Sequence, residues 1–346
     1  MIFLIDDAKQ VAGGQHSLLE LASSLQSQTT SFKVLVKNEV LAEFYSKKIH
    51  DSNVVVTSFP IIYTLINLNS VIHVNTWRSF IFVVLTYNFF TSKCCFRVRS
   101  APPNSIRLIL RILNFIWRGK YICNSFYIKE LLSNIIAKNS DLLVIYNYHG
   151  IDNLNVSKPI GQKVILTCAA RISRRKNQLF LLDVFEKLIQ HTKNFEFRFY
   201  GDYSELSAEK DFNFKFKSKI ENLITKYPDN ISYNKSSSKD IVYTTDALLV
   251  PHFREPLGRT LLETKYLGRE IFLLNEGGNP EVFDYDDTNA FFLNVHILDW
   301  VVALSKYIDD FDYSRSNKLE LKKVCMGKFN YENTVLLESK LLQELS

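Results

Sequence analysis

The sequence predicts an α/β protein of two domains, each built on a parallel sheet, and three observations carry that expectation. The chain has 346 residues, enough for two domains with separate cores. Strand-like apolar runs alternate with helix-period patterns along its length, as βα units do and β-sandwiches do not. Only 11 glycines and 8 prolines accompany 26 phenylalanines, a composition that buries apolar surface and excludes disorder as the main state.

Residues 1–5 read as the first strand, and Gly13-Gly14 opens a helix through Leu18, Leu19, Leu21, Ala22 and Leu25. Val71-Ile-His73-Val-Asn75 is another buried strand. His73, at its carboxyl end, is either a satisfied structural histidine or a site residue, because α/β sheets place ligands along that edge. Residues 80–90 are apolar but interrupted by Thr86 and Asn88, short of the roughly 20 residues that span a bilayer, and are expected to form a buried helix. Over residues 153–162 Asn, Ser, Lys, Pro159 and Gly161 replace the periodic pattern, the mark of a linker.

The second half carries the chemistry. Residues 163–170 form a strand, and Arg171-Ile-Ser-Arg-Arg-Lys176 follows it before an amphipathic helix with Leu179, Leu182, Phe185, Leu188 and Ile189 on one face. Arg171 and Lys176 are therefore expected in one βα loop. Asp246-Ala-Leu-Leu-Val-Pro251 is a buried strand, followed by a sharp turn and, after Pro256 and Gly258, good helix formers. The amides of Leu257, Gly258 and Arg259 are then placed to attract a diphosphate. Glu255 and Glu263 lie eight positions apart; Glu263 suits sugar hydroxyls, or the two are a helix cap and a surface glutamate. A further strand ends in Gly277-Gly278-Asn-Pro-Glu281, a turn that lets backbone approach a ligand closely.

Five cysteines, Cys94, Cys95, Cys123, Cys168 and Cys325, have no metal-ligand spacing and read as thiols in a reducing compartment. The amino terminus lacks the charged, apolar and small-residue succession of an export signal, so a cytoplasmic protein is expected. The net charge of +6 is unevenly placed: residues 52–129 contain no Asp or Glu but include Arg78, Lys93, Arg97, Arg99, Arg107, Arg111, Arg118, Lys120 and Lys129. Residues 105–118 read as a helix with Arg107, Arg111 and Arg118 beside a broad apolar surface that includes Trp117. It is either a core helix with a solvated arginine stripe or one that lies in an anionic membrane interface. No zinc finger, basic zipper or RNA-recognition signature is present, and nucleic acid is not an expected partner. Asp284-Tyr-Asp286-Asp287 resembles a metal-binding Asp-x-Asp superficially but reads as a solvated turn, so no metal site is expected.

In order and content, the Arg171 to Lys176 loop, the Glu255/Glu263 pair and the Gly277-Gly278-Asn-Pro-Glu281 turn resemble the donor-binding half of GT-B glycosyltransferases, most closely family four of the retaining enzymes, the group 1 glycosyltransferases. The Gly13-Gly14 loop, the His73 strand, Val144-Ile-Tyr-Asn147 with Gly150-Ile-Asp152, and Lys328-Phe-Asn-Tyr331 before Leu336, Leu337, Leu341 and Leu342 are similar to the family's remaining landmarks. The resemblance implies two Rossmann-like domains facing a central cleft: an acceptor-binding domain at 1–154, a linker at 155–162, a nucleotide-sugar-binding domain at 163–327, and a terminal helix at 328–346 that crosses back onto the first domain.

It further implies a metal-independent, cofactor-free hexosyltransferase with retained stereochemistry. Its substrates would be a nucleotide-sugar donor and a glycan or lipid-linked acceptor of capsule or lipopolysaccharide assembly, handled at the inner face of the plasma membrane. Arg171 and Lys176 would stabilise the leaving diphosphate, helped by amides after Glu255 and near Gly14; Glu255 would lie by the donor sugar, and Glu263 would bond the nucleotide ribose. Leu257, Gly258, Gly277 and Gly278 complete the expected donor site, with His73 and Arg99 on the acceptor side. The chain departs from the pattern at Arg99-Ser100, where a histidine is usual, at Gln15, at Ala169-Ala170 before the arginine, and at His252 in place of serine. A nucleotide-sugar epimerase and a catalytically silent nucleotide- or glycan-binding subunit remain alternatives.

Overall fold

The computed structural model describes residues 1–11, 13–58, 69–86, 93–136, 142–150, 163–235, 241, 244–283, 287–311 and 327–346. The expected linker, Ser236 to Asp240, Asp284 to Asp286 and Cys325 lie outside the described residues. The chain divides into two compact units: Met1–Gly150 with Pro256–Arg259 and Gly327–Ser346, and Ile151–Glu255 with Thr260–Met326.

The first unit holds seven strands: β1 Ile2–Asp6, β2 Phe32–Val36, β3 Val54–Val56, β4 Val71–Val74, β5 Cys94–Val98, β6 Lys120–Cys123 and β7 Leu142–Val144. They form one sheet in the order β3-β2-β1-β4-β5-β6-β7, parallel at every pairing. Strands β1, β4 and β5 are buried along their whole length, as apolar strands covered on both faces must be. The strand order reverses between β1 and β4, so the loops leaving them diverge and open a crevice at their carboxyl ends.

The second unit repeats the plan with β8 Val164–Ala169, β9 Phe195–Tyr200, β10 Ile231–Asn234, β11 Ala247–Val250, β12 Glu270–Leu274 and β13 Ala290–Leu293. Their order is β10-β9-β8-β11-β12-β13, again parallel throughout. Here the switch falls between β8 and β11, the two strands whose following loops hold Lys176 and Glu255. The helix Gln178–Leu188 and the helix Ile297–Asp309 cover one face, with Phe180, Phe185 and Trp300 in the core.

One helical expectation needs correction. The apolar stretch at 80–90 forms the helix Trp77–Thr86, with Phe80, Val83 and Val84 inside, but Phe82 and Leu85 stand 44% and 55% exposed; residues 87–90 lie outside the described residues. Trp117, read as part of the apolar surface of the arginine helix, sits one residue past the helix Arg107–Ile116 and is buried against Phe80 and Tyr121, as the core-helix reading has it. The outward apolar positions of the helix are Leu108, Ile109, Ile112 and Phe115. No described helix is long and apolar enough to cross a membrane.

Candidate functional site

Three loops of the second unit meet around Glu255. The first leaves β8 as a 3-10 turn, Arg174–Lys176, and enters its helix through Asn177, whose φ of 54° breaks the helical path between the two. Gln178, buried at the helix start, fastens this loop: its Nε2 donates to Arg171 O at 2.9 Å and Ala170 O at 3.3 Å, and its Oε1 accepts from Ser173 N. The second loop leaves β11 and is tied to the first by Phe253 N donating to Arg175 O at 2.8 Å. The third leaves β12, and Gly278 N donates to Glu255 O at 2.7 Å.

Gly277 shows why this turn takes glycine. Its φ is 66°, and a Cβ there would lie 2.4 Å from Glu255 O. The close approach seen is therefore to the backbone of Glu255, where a side chain would force the two loops apart. Asn279 closes the turn by donating to Leu274 O at 2.9 Å.

Glu255 itself is buried and forms an ion pair with Lys176, Nζ to Oε2 2.5 Å. Lys176 Nζ also lies 3.4 Å from His252 Nδ1. Burial works to raise the Glu255 pKa, but the Lys176 cation, with His252 and Arg175 behind it, outweighs burial and holds it at about 2. His252 is driven the other way: burial, then the Lys176 charge, pushes its pKa well below the usual value. At neutral pH Glu255 is therefore an ionised carboxylate and His252 a neutral imidazole.

Groups of the same loops have nothing to bind among the described residues. Arg171 is exposed, with no side-chain partner among the described residues. Leu257 and Gly258 precede the helix Arg259–Tyr266, and among the described residues their amides donate to no acceptor. Unpaired amides at a helix amino terminus carry partial positive charge. Glu263 lies half-buried within that helix. The sequence-predicted residues of this half are thus brought together as Lys176 with Glu255 and as Gly277 and Gly278 against the Glu255 backbone, while Arg171 makes no side-chain contact with them.

The first unit distributes its expected residues differently. A Cβ at Gly14 would lie 3.1 Å from Arg99 Cδ. Arg99 Nε donates to Asn75 Oδ1 at 2.6 Å, and Nη1 to Asn147 Oδ1 at 3.4 Å. Desolvation, then the neighbouring Arg97 charge, lowers the Arg99 pKa to about 9, which leaves it cationic at neutral pH. At the end of β1, Asp6 accepts from Tyr45 OH at 2.7 Å and from Gln15 Nε2 at 3.1 Å; burial raises its pKa and these bonds oppose the rise.

His73 is corrected by its surroundings. Its side chain is fully buried and its Nε2 lies 3.0 Å from Glu338 Oε1, on the terminal helix Leu337–Leu345. Glu338 also pairs with Arg97, Nη1 to Oε2 3.0 Å, and Arg97 donates to Tyr146 O at 3.1 Å. An imidazole enclosed in this way cannot touch an acceptor, so His73 positions Glu338 instead. Sequence reasoning misses Glu338: it lies 265 residues from its partner, and no local pattern marks it.

Cys94, Cys95, Cys123 and Cys168 are buried and free; burial pushes all four thiols up, Cys94, Cys123 and Cys168 to about 12, which leaves them unreactive. Among the described residues no group of three or more His, Cys, Asp or Glu is set to hold a metal ion. Asp287, the described end of the Asp-x-Asp-like stretch, pairs with Lys265 at 2.9 Å.

A profile of the family Glycosyl transferases group 1 matches residues 152–319, a span that covers most of the second unit. No curated protein matches the sequence significantly. Among solved structures, Anabaena HepE in complex with UDP and glucose matches with a TM-score of 0.77 at 15% identity, over 99% of this chain and 98% of that one. The Thermosynechococcus elongatus sucrose-phosphate synthase gives 0.72 at 15% identity with the same coverage. The lipopolysaccharide outer core galactosyltransferase WaaB gives 0.65 at 14% identity, also over 99% and 98%. The chain has the GT-B fold, and its residues 152–319 match the family Glycosyl transferases group 1.

Proposed function

We propose that the protein is a retaining glycosyltransferase that moves a hexose-type sugar from a nucleotide-sugar donor to a glycan or lipid-linked acceptor in assembly of a surface polysaccharide. The observation that carries this reading is the Lys176–Glu255–His252 cluster, whose first loop also carries the unpartnered Arg171 side chain and whose second loop runs directly into the open amides of Leu257 and Gly258. Such an arrangement can receive a departing diphosphate. A UDP-sugar donor is favoured by the complexes of HepE with UDP and with UDP-glucose, and a surface-glycan acceptor by the likeness to the lipopolysaccharide outer core galactosyltransferase WaaB.

In this reading Arg171, Lys176 and the two amides neutralise the leaving group, so its charge needs no metal. Glu255, ionised through the whole physiological range, accepts hydrogen bonds from donor-sugar hydroxyls and opposes the positive charge of an oxocarbenium-like anomeric carbon. A carboxyl held at about 2 is a poor proton donor, so the acceptor proton passes to a phosphate oxygen on the face from which the acceptor attacks. Glu263 binds the ribose. The enzyme works at the inner face of the plasma membrane, attached through Arg107, Arg111 and Arg118.

A thermal-shift screen across UDP, GDP and ADP and their sugars tests the donor assignment, because a ligand of the folded state alone raises the melting temperature. UDP and a UDP-hexose should give the largest shifts, and product analysis with labelled donor should find the sugar on an acceptor in its original anomeric configuration. No shift with any nucleotide sugar removes the donor site, and a free epimer as product removes the transferase assignment.

A further inference from the structure

The helix Arg107–Ile116 buries Leu110 and Leu113 in the core of the first unit and leaves Leu108, Ile112 and Phe115 exposed by 67%, 61% and 89%. These three positions follow helical spacing and form one outward row. The helix Trp77–Thr86 packs beside it and adds exposed Phe82 and Leu85. Large apolar side chains side by side on two neighbouring helices make a contiguous patch, which scattered surface hydrophobics do not.

Charge around the patch selects its partner. Arg107 and Arg111 are exposed on the same helix and, among the described residues, have no hydrogen-bond or ion-pair partner. Both line a groove of about 270 Å³ whose walls include Ala101, Pro102, Leu131 and Ile135. The acid-free sequence from 52 to 129 puts no carboxylate of its own here. A second copy of the chain would bring arginine against arginine, and nucleic acid gives an outward phenylalanine row no apolar phase to enter. A bilayer with anionic headgroups meets both demands, because acyl chains lie next to phosphates.

We propose that Leu108, Ile112 and Phe115 insert into the acyl region of an anionic bilayer while Arg107 and Arg111 hold lipid phosphates at the groove beside them. This rests on the membrane attachment in the functional reading above and deepens it: attachment is by insertion, with the arginines setting lipid preference. It therefore persists in salt that screens surface charge.

The test uses the full-length protein with vesicles of phosphatidylcholine, alone or mixed with phosphatidylglycerol. A Phe115→Trp variant should show fluorescence quenching by brominated lipids beyond that of the wild type's own tryptophans. Combined Leu108→Ser, Ile112→Ser and Phe115→Ser substitutions should lower co-sedimentation at high salt by about tenfold or more, with an unchanged thermal melt showing that the fold is intact. Combined Arg107→Gln and Arg111→Gln should weaken binding to anionic vesicles by up to about 30-fold, since each basic side chain contributes about 1 kcal/mol. If wild type sediments but the Phe115→Trp variant is quenched no more than wild type and the serine variant binds as before, insertion is overturned and an electrostatic surface contact stands. If wild type sediments with no vesicle, the membrane attachment itself fails.

Discussion

The two units each contain a histidine, a glutamate and a basic side chain in contact, and they use the trio in opposite ways. In the first, His73, Glu338 and Arg97 are sealed, and Arg97 has further acceptors in Tyr146 O and Asn147 Oδ1. In the second, His252, Glu255 and Lys176 sit with the Lys176 side chain 17% exposed, and Arg171, on the same loop as Lys176, has no side-chain partner among the described residues. Both glutamates are held at about 2 and both histidines are pushed down by burial. Perturbed ionisation alone therefore does not separate a site from a structural lock. The exposure of the basic member does separate them: the Arg97 side chain is 1% exposed and that of Lys176 17%.

Breaking the lock should give the largest stability effect. Glu338→Ala leaves Arg97 buried without its counter-charge, at a cost of about 3–5 kcal/mol, and it loosens the terminal helix from β4 and β5. Denaturant unfolding followed by Trp77 and Trp117 fluorescence should show the first unit melting earlier. Equal destabilisation by Glu255→Gln, which keeps the shape and hydrogen-bonding capacity of the side chain, would erase the distinction between the clusters.

Arg171→Ala should lower turnover by on the order of 10²-fold and leave the melt unmoved, since the side chain holds nothing in the free protein. Wild-type turnover in this variant would sink its role as leaving-group clamp. Gly277→Ala should cost about 1–3 kcal/mol, because the left-handed backbone and the contact with Glu255 O are both strained, and turnover should fall with it as Glu255 is displaced. An unchanged melt and rate would mean the two loops are not coupled.

Acid supplies a smaller, shared effect. Each glutamate has its pKa lowered from the ordinary 4.5 to about 2 in the folded state. The unfolded chain then binds more protons between those values. The stabilisation is complete above about pH 4.5 and is lost as pH falls toward 2. In Glu338→Ala the acid sensitivity of the first unit should flatten, and a chemical denaturation series from pH 5 downward measures it.

The loops of the candidate site in the second half of the chain were legible because each is local. Arg171 and Lys176 share one loop after β8, and Leu257 and Gly258 follow one strand end, so strand-turn-helix grammar places them. Gln178 and the contact between Gly277 and Glu255 were not legible: each depends on which loops the strand order brings together, and the sequence of a single loop holds no record of its neighbour. Glu338 illustrates the same limit over the length of the chain. The arginine helix was half legible. Its period places Arg107 and Arg111 outward and Trp117, seven residues after buried Leu110, on the inner face, but it does not say which apolar side chains stay exposed, as Leu108, Ile112 and Phe115 do.

The central claim is that the Lys176 cluster and Arg171 receive a diphosphate. Calorimetric titration with the nucleoside diphosphate that gives the largest thermal shift, beside its parent nucleoside, tests it most directly in wild type, Arg171→Ala and Lys176→Ala. The diphosphate should bind wild type far more tightly than the nucleoside does. Both variants should lose about tenfold or more of that increment, the fold-change of roughly 1.4 kcal/mol from one charge-assisted hydrogen bond, while the nucleoside binds as before. If both variants hold the diphosphate as tightly as wild type, the clamp assignment is contradicted.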